Sequence, residues 1–499
     1  MRRARALQVR IPALFLLASL AADCGAPAGD GADPAVAAAR IDRVLAGLRP
    51  RVAIKGAPPI RWTLSGEMAA HHVPGVSIAV IDSGRIVWAT GFGVKEAGTA
   101  DSVTPETLFQ AASISKPVAA TGMLRLVEQG KLSLDENVNT YLKSWQVPDN
   151  KFTATEKVTL RRIVSHNAGL TVHGFPGYAM GDAIPTTVQV LNGEKPANTA
   201  PVRVDTFPGA ISNYSGGGVT IEQLVLQEVT GKPFPVFMKE MVLDPVGMTR
   251  STYEQPLPEA RRAEAASAHN QKGETIKGKW HIYPEMAAAG LWTTPTDLAT
   301  WALEIAAARD GRSSKVLSQN MATQMLTAQK IPFGLGPHVE GSGRQFQFGH
   351  GGSNEGFRCE LILFPEVGKG AAVMTNADDG SAVTDEIFMA LAAEYGWPDR
   401  GQQERATVTL DPGALDALAG EYQLPNPNAP GRTPIPVRVS HEGRQLFLEV
   451  EPYVPKHEIF PASADSFFTP SGGDVVFTRD RSGRGMKVSL GGQTATRVK

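Results

Sequence analysis

Apolar residues fill Val76 to Ile81 and Ile86 to Ala89, on either side of Asp82-Ser83-Gly84. Two apolar runs around a Gly-bearing turn predict a β-hairpin. Upstream, Asp33 to Pro50 has the spacing of a short amphipathic helix, and the Pro-rich link Gly56-Ala57-Pro58-Pro59 follows it. Pro117 to Glu128 is apolar on most faces and is followed by Gly130, which predicts a helix buried inside a domain and stopped by glycine. Helical patterns, broken by Gly- and Pro-bearing loops, continue to about residue 310. Strand-like alternation returns from Phe346 to Thr375, where Cys359 falls in the run Arg358 to Phe364 as a core strand residue. Strands, then helices, then strands predict an α+β fold: an antiparallel sheet flanked by helices, with an all-helical region. The tail changes character. Ile435, Val437 and Val439 alternate, as do Leu446, Leu448 and Val450, and similar runs cover Asp474 to Thr478 and Gly485 to Leu490. They predict a small all-β, barrel-like domain over 410–499, joined through a link at about Gly396 to Thr409. The main domain is expected over 57–400, behind a lead segment at 23–56.

The first residues follow another logic. A basic start, MRRARALQVR, precedes the apolar run Ile11 to Ala22 and a small-residue exit. That is the pattern of a secretory signal over residues 1–22, too short to span a bilayer, and it predicts export to the periplasm or beyond. Ser19-Leu20-Ala21 suits ordinary cleavage. Lipid attachment at Cys24 ranks below it, because Asp23 stands where lipidation needs a small residue. Across the 499 residues, 49 Lys+Arg against 50 Asp+Glu leave a formal charge of −1, so no bulk field draws the protein to nucleic acid or anionic membranes. Two cysteines exclude a disulfide scaffold and a four-thiolate zinc site.

Three clusters carry chemistry. The first is Ala111-Ala112-Ser113-Ile114-Ser115-Lys116-Pro117, at the head of the buried helix. Helical spacing puts Ser113 and Lys116 on one face. A serine hydroxyl needs a base to become a nucleophile, and a desolvated lysine with a lowered pKa supplies one. The second is Ser212-Asn213-Tyr214-Ser215-Gly216-Gly217-Gly218, which suits either a phenol poised for proton transfer or a tyrosine packed under its loop. The third is Gly349-His350-Gly351-Gly352-Ser353-Asn354, whose glycines let a strand edge approach a substrate closely.

In this order, Ser-x-x-Lys, Tyr-Ser-x and His-x-Gly resemble the serine β-lactamase and penicillin-binding-protein superfamily. The nearest likeness is to class C β-lactamases and their relatives, the DD-carboxypeptidases, D-aminopeptidases and family VIII esterases. Ile163 to Leu170, Asp244 to Met248 and Ala288 to Leu298 share the likeness, which spans roughly residues 60 to 395. The resemblance implies that Ser113 is acylated, that Lys116 is its partner and that Tyr214 is the general base. It implies that His350 and Gly352 line the cleft, and that the N–H groups of Ser113 and Ser353 form the oxyanion hole. Two departures stand out. Gly216 replaces the asparagine of Tyr-x-Asn, and His350-Gly351-Gly352 replaces Lys-Thr-Gly. Substrate clamps for β-lactams are thereby missing, so esters or D-amino-acid peptides and amides rank ahead of antibiotics. The alternatives are a true class C-type β-lactamase, or a non-catalytic sensor or scaffold that keeps the fold. No cofactor is expected. No metal is expected either: the ten histidines are scattered, His-Glu-x-x-His is absent, and the adjacent His71 and His72 suit core or surface positions. Gly-x-Ser-x-Gly and phosphate-loop motifs are absent.

Overall fold

The computed structural model describes residues 34–398, 400–425, 434–451 and 454–498. The expected leader over residues 1–22 and Cys24 lie outside the described residues. The chain enters through helix α1 (Pro34–Leu45), strand β1 (Val52–Ile54) and helix α2 (Leu64–Ala70). Helix α1 stops short of the expected Pro50. Gly47 sits where a Cβ would stand 2.5 Å from the Arg43 carbonyl, and Leu48 leaves to pair with Trp62.

The hairpin forms from β2 (Gly75–Asp82) and β3 (Arg85–Gly93), turning at Ser83 and Gly84 with φ of 53° and 71°. Helices α3 (Ser115–Glu128), α4 (Gly216–Thr230) and α5 (Pro295–Arg309) follow. The chain then returns as β4 (His338–Glu340), β5 (Gln347–Asn354), β6 (Phe357–Phe364) and β7 (Lys369–Thr375), and closes with α6 (Gly380–Tyr395). These strands make one antiparallel sheet in the order β3-β2-β7-β6-β5-β4. Strand β2 is apolar on both sides because both faces are covered. Val76, Ile78 and Val80 pack with Ile387 and Leu391 of α6, whereas Ala79 and Ile81 belong to the core that holds α3 and α5.

Between Gly130 and Ser215 the helical pattern resolves mainly into loops, with short helices at Leu160–Val164 and Thr187–Asn192. Side chains satisfy the loop backbone: the Asn139 amide donates to the Val147 carbonyl at 3.0 Å, and Asn150 donates to Val204 at 2.7 Å.

The link also contains a strand, β8 (Gln403–Arg405), which pairs in parallel with β1. Beyond it, β9 (Gly420–Leu424), β10 (Ile435–Glu442), β11 (Gln445–Val450), β12 (Val454–Pro461), β13 (Ser466–Phe468), β14 (Asp474–Arg479), β15 (Gly485–Leu490) and β16 (Gln493–Arg497) close into a barrel. Inward positions of the alternating strands, among them Val437, Val439, Leu448, Phe477 and Val488, fill its core. The barrel rests on β1 and β8. Val52 N–H donates to the Pro470 carbonyl at 3.0 Å, and Arg405 pairs with Asp474 at 2.8 Å.

Candidate active site

The Ser113 turn is held by its neighbours. Phe109–Gln110 pairs with Trp292–Thr293, and the Ala111 N–H donates to the Leu291 carbonyl at 2.8 Å. Ala112 then takes φ +47°, a left-handed conformation that costs a non-glycine residue energy, and the chain tightens through a 3₁₀ turn into α3. This bend sets Ser113 at the head of a buried helix. Cys359 supports the turn from beneath, its thiol donating to the Ala111 carbonyl at 3.1 Å, and burial pushes that thiol well above its ordinary pKa. It is a buried strand residue packed under the turn, in keeping with its place in the alternating run.

Lys116 lies one turn on from Ser113, as the spacing demands. Its Nζ is 2.9 Å from Ser113 Oγ and donates to the Ala288 carbonyl at 2.7 Å. The side chain is buried, and desolvation lowers its pKa to about 7 despite the opposing pull of the Glu222 carboxylate. An amine with one N–H committed to a carbonyl and a serine oxygen at hydrogen-bond distance is arranged to take up the serine proton when neutral.

Tyr214 stands just before the α4 N-cap, where Ser215 Oγ accepts from the Gly218 N–H at 2.9 Å. Burial drives the phenol well above its ordinary pKa, and a hydrogen bond with Ser113 offsets part of that. Its ring lies 4.2 Å from His166 and 5.0 Å from Lys116 Nζ, centroid to ring or atom. Burial also pushes His166 and His350 well below the usual imidazole range, so both rings are neutral near pH 7. His166 Nδ1 accepts from the Ser215 N–H at 3.2 Å, and His350 Nδ1 donates to the Gly351 carbonyl at 2.5 Å. The Nε2 atoms of both are buried without a partner among the described residues.

Strand β5 forms the opposite wall. Strand β4 pairs with it only over Gln347–Gly349, so the outer edge from His350 onward is left to the Ser113 turn. Gly352 is sterically required: a Cβ there would stand 2.3 Å from the Ala111 carbonyl oxygen and 2.4 Å from Cys359 Sγ. Ser113, Tyr214, His350, Gly352 and Ser353 line one cleft of about 350 Å³, with Lys116 beneath Ser113. All six residues singled out from the sequence therefore converge. One of the two departures also acquires a structural cause: a Cβ at Gly216 would lie 2.9 Å from the Phe175 ring, which occupies the space an asparagine would need. At Gly351 a Cβ would meet only the Cys359 carbonyl, at 3.9 Å, so the strand is bare there for no steric reason.

Sequence reasoning missed two buried acids. Glu222 on α4 is fully buried with both carboxylate oxygens unpartnered among the described residues, and burial raises it to about 8. Glu285, just before the short helix Met286–Ala289, is in the same condition, also at about 8. An acid within an apolar helix pattern was the one available signal for Glu222. The cleft's far wall adds Glu360, raised to about 7 by burial, 3.7 Å from Arg400.

Comparisons with known proteins agree with this geometry. Residues 60–394 match the family described as Beta-lactamase. The chain is 26% identical over 377 residues to penicillin-binding protein 4 of Amycolatopsis lactamdurans, covering 71% of this chain and 94% of that protein. It is 24% identical over 333 residues to a D-aminopeptidase of Brucella anthropi, covering 66% of this chain but 61% of the relative. The octameric penicillin-binding protein homologue of Pyrococcus abyssi shares the fold, with a TM-score of 0.59 and 21% identity over 87% of this chain and 98% of that one. With a family match over well more than half of the sequence, laid on a serine and a buried lysine in contact, the chain belongs to the beta-lactamase family of serine hydrolases.

Proposed function

We propose that the protein hydrolyses esters or D-amino-acid amides and peptides through an acyl-enzyme on Ser113, with at most weak turnover of β-lactams. One observation carries this reading: Lys116 Nζ lies 2.9 Å from Ser113 Oγ in a site dry enough to hold its pKa at about 7. Ser113 Oγ attacks the substrate carbonyl and its proton passes to Lys116. The oxyanion forms against the N–H groups of Ser113 and Ser353, each donor supplying about 3–4 kcal/mol in such sites. Tyr214 gives its phenol proton to the leaving group and regains one from Lys116; water then attacks the acyl carbonyl and loses a proton to the same pair, which returns it to Ser113 Oγ as the acyl–oxygen bond breaks. The D-aminopeptidase relative supports a D-amino-acid substrate, and the lack of a polar side chain at Gly216 and Gly351 speaks against a tight β-lactam clamp.

A fluorophosphonate probe should add one label to the wild type, at Ser113 by peptide mass, and none to Ser113→Ala. The same variant should lose hydrolysis of p-nitrophenyl acetate while its unfolding temperature is kept. Labelling elsewhere, or retained hydrolysis, overturns the assignment. A panel of short-chain esters, D-amino-acid amides, D-Ala-D-Ala peptides and nitrocefin then ranks the substrates. Export, read from residues 1–22, is part of the same proposal and is tested by fractionating expressing cells.

A further inference from the structure

A second group of titratable side chains lies on the face of the sheet away from Ser113, between α2 and α6. Glu67 stands in α2, and His71 caps that helix four residues later, so both project from one side. Helix α6 brings Glu386 across to them, and Asp379 sits at its N-cap. One ligand atom each from Glu67, His71 and Glu386 lie within 4.8 Å of one another. His71 Nδ1 is engaged by Asp379 at 2.8 Å, which turns Nε2 toward Glu67 Oε2 at 3.7 Å. Glu386 Oε2 is buried and has no hydrogen-bond partner among the described residues. Two carboxylates and an imidazole nitrogen thus converge, and His71 Nε2 faces Glu67, which leaves Glu386 Oε2 without a donor. Such a group is costly unless something positive fills it.

We propose that Glu67, His71 and Glu386 bind one divalent transition-metal ion of the zinc class, with Asp379 as the residue that orients His71. The donor set decides the class. One imidazole nitrogen and two carboxylates suit zinc, whereas calcium and magnesium take all-oxygen shells. The Asp379–His71 contact is the carboxylate–histidine arrangement that holds a ligating ring in one tautomer. Three protein ligands leave a further position for water. The ion ties α2 to α6 and takes no part in the chemistry at Ser113.

The full chain, stripped with a chelator, should take up one equivalent of ZnCl₂ by titration calorimetry. Its unfolding temperature should rise by at least about 2 °C at saturating zinc. His71→Ala and Glu386→Gln should each weaken uptake by tenfold or more, and Asp379→Asn by about tenfold. Fluorophosphonate labelling of Ser113 should be the same with and without the chelator. If His71→Ala does not fold, X-ray absorption of the zinc-loaded wild type serves instead, with a nitrogen and oxygen shell at about 2.0–2.2 Å expected. No stoichiometric uptake would show that the acids share a proton only. Unaltered affinity in the folded variants, or a shell containing sulfur, would place the zinc elsewhere. Any of these overturns the proposal.

Discussion

The Ser113 cleft and the C-terminal barrel solve the problem of burial in opposite ways. In the barrel, apolar side chains fill the interior, and its charged pairs, such as Arg438 with Glu449 and Lys456 with Glu442, lie at the surface. Its buried phenol, Tyr422, donates to the Leu418 carbonyl at 2.7 Å. Among the described residues, no buried polar side-chain atom lacking a partner belongs to the barrel, whereas His166, Glu222, Glu285 and His350 all surround the cleft. A structure assembled only for stability would satisfy or remove such groups. The cleft retains them in dry surroundings, which bring the Lys116 amine down to about 7 and keep both imidazoles neutral near pH 7. The contrast separates a cleft that keeps unpartnered polar groups from a barrel that, among its described residues, keeps none.

Substitutions can break this comparison, the strongest first. Lys116→Ala and Tyr214→Phe should each lower kcat/KM for p-nitrophenyl acetate by about 10²–10⁴-fold. Thermal unfolding of Tyr214→Phe should stay near the wild-type midpoint, because the ring and its packing on His166 are kept. A matching drop in stability would mean that the cleft is built like the barrel. Phe477→Ala should do the reverse: a loss of about 3–5 kcal/mol in barrel stability by denaturant unfolding, with ester hydrolysis at 25 °C unchanged. Lost activity there would couple the two regions.

Milder tests sharpen the picture. Nitrocefin should turn over at least about tenfold more slowly than p-nitrophenyl acetate, since one missing polar clamp costs about 1–3 kcal/mol. Rapid nitrocefin hydrolysis would reverse the substrate ranking. The smallest effect concerns pH. Lys116 must be neutral to accept the Ser113 proton, so kcat/KM should fall as pH drops below about 7. Glu222, raised to about 8 by burial, is a neutral acid on that limb, so Glu222→Leu should leave the limb in place, and a shift of the limb to lower pH would show Glu222 ionised beside Lys116.

Much of this was legible in the chain itself. Two apolar runs around Asp82-Ser83-Gly84 placed β2 and β3, and period-two alternation placed the sheet's return strands. Ser113 and Lys116 were legible because three residues is close to one helical turn. Other features depend on contacts distant in sequence. The filling of the space beside Gly216 comes from Phe175, and the requirement for glycine at 352 comes from Ala111. The strand at Gln403–Arg405 is exposed and polar, and it forms because β1 lies beside it; alternation could not reveal it. The left-handed turn at Ala112 has no composition signal, since alanine rarely adopts it. Helix α1 ended early for a local reason, Gly47 followed by Pro50, that outweighed its amphipathic pattern.

The parallel pair of β1 and β8 has a mechanical consequence. The polypeptide enters and leaves the hydrolase side by side, and the barrel loop at Pro470 is fastened to the same spot. The barrel is tied on through this small staple, away from the residues that line the Ser113 cleft.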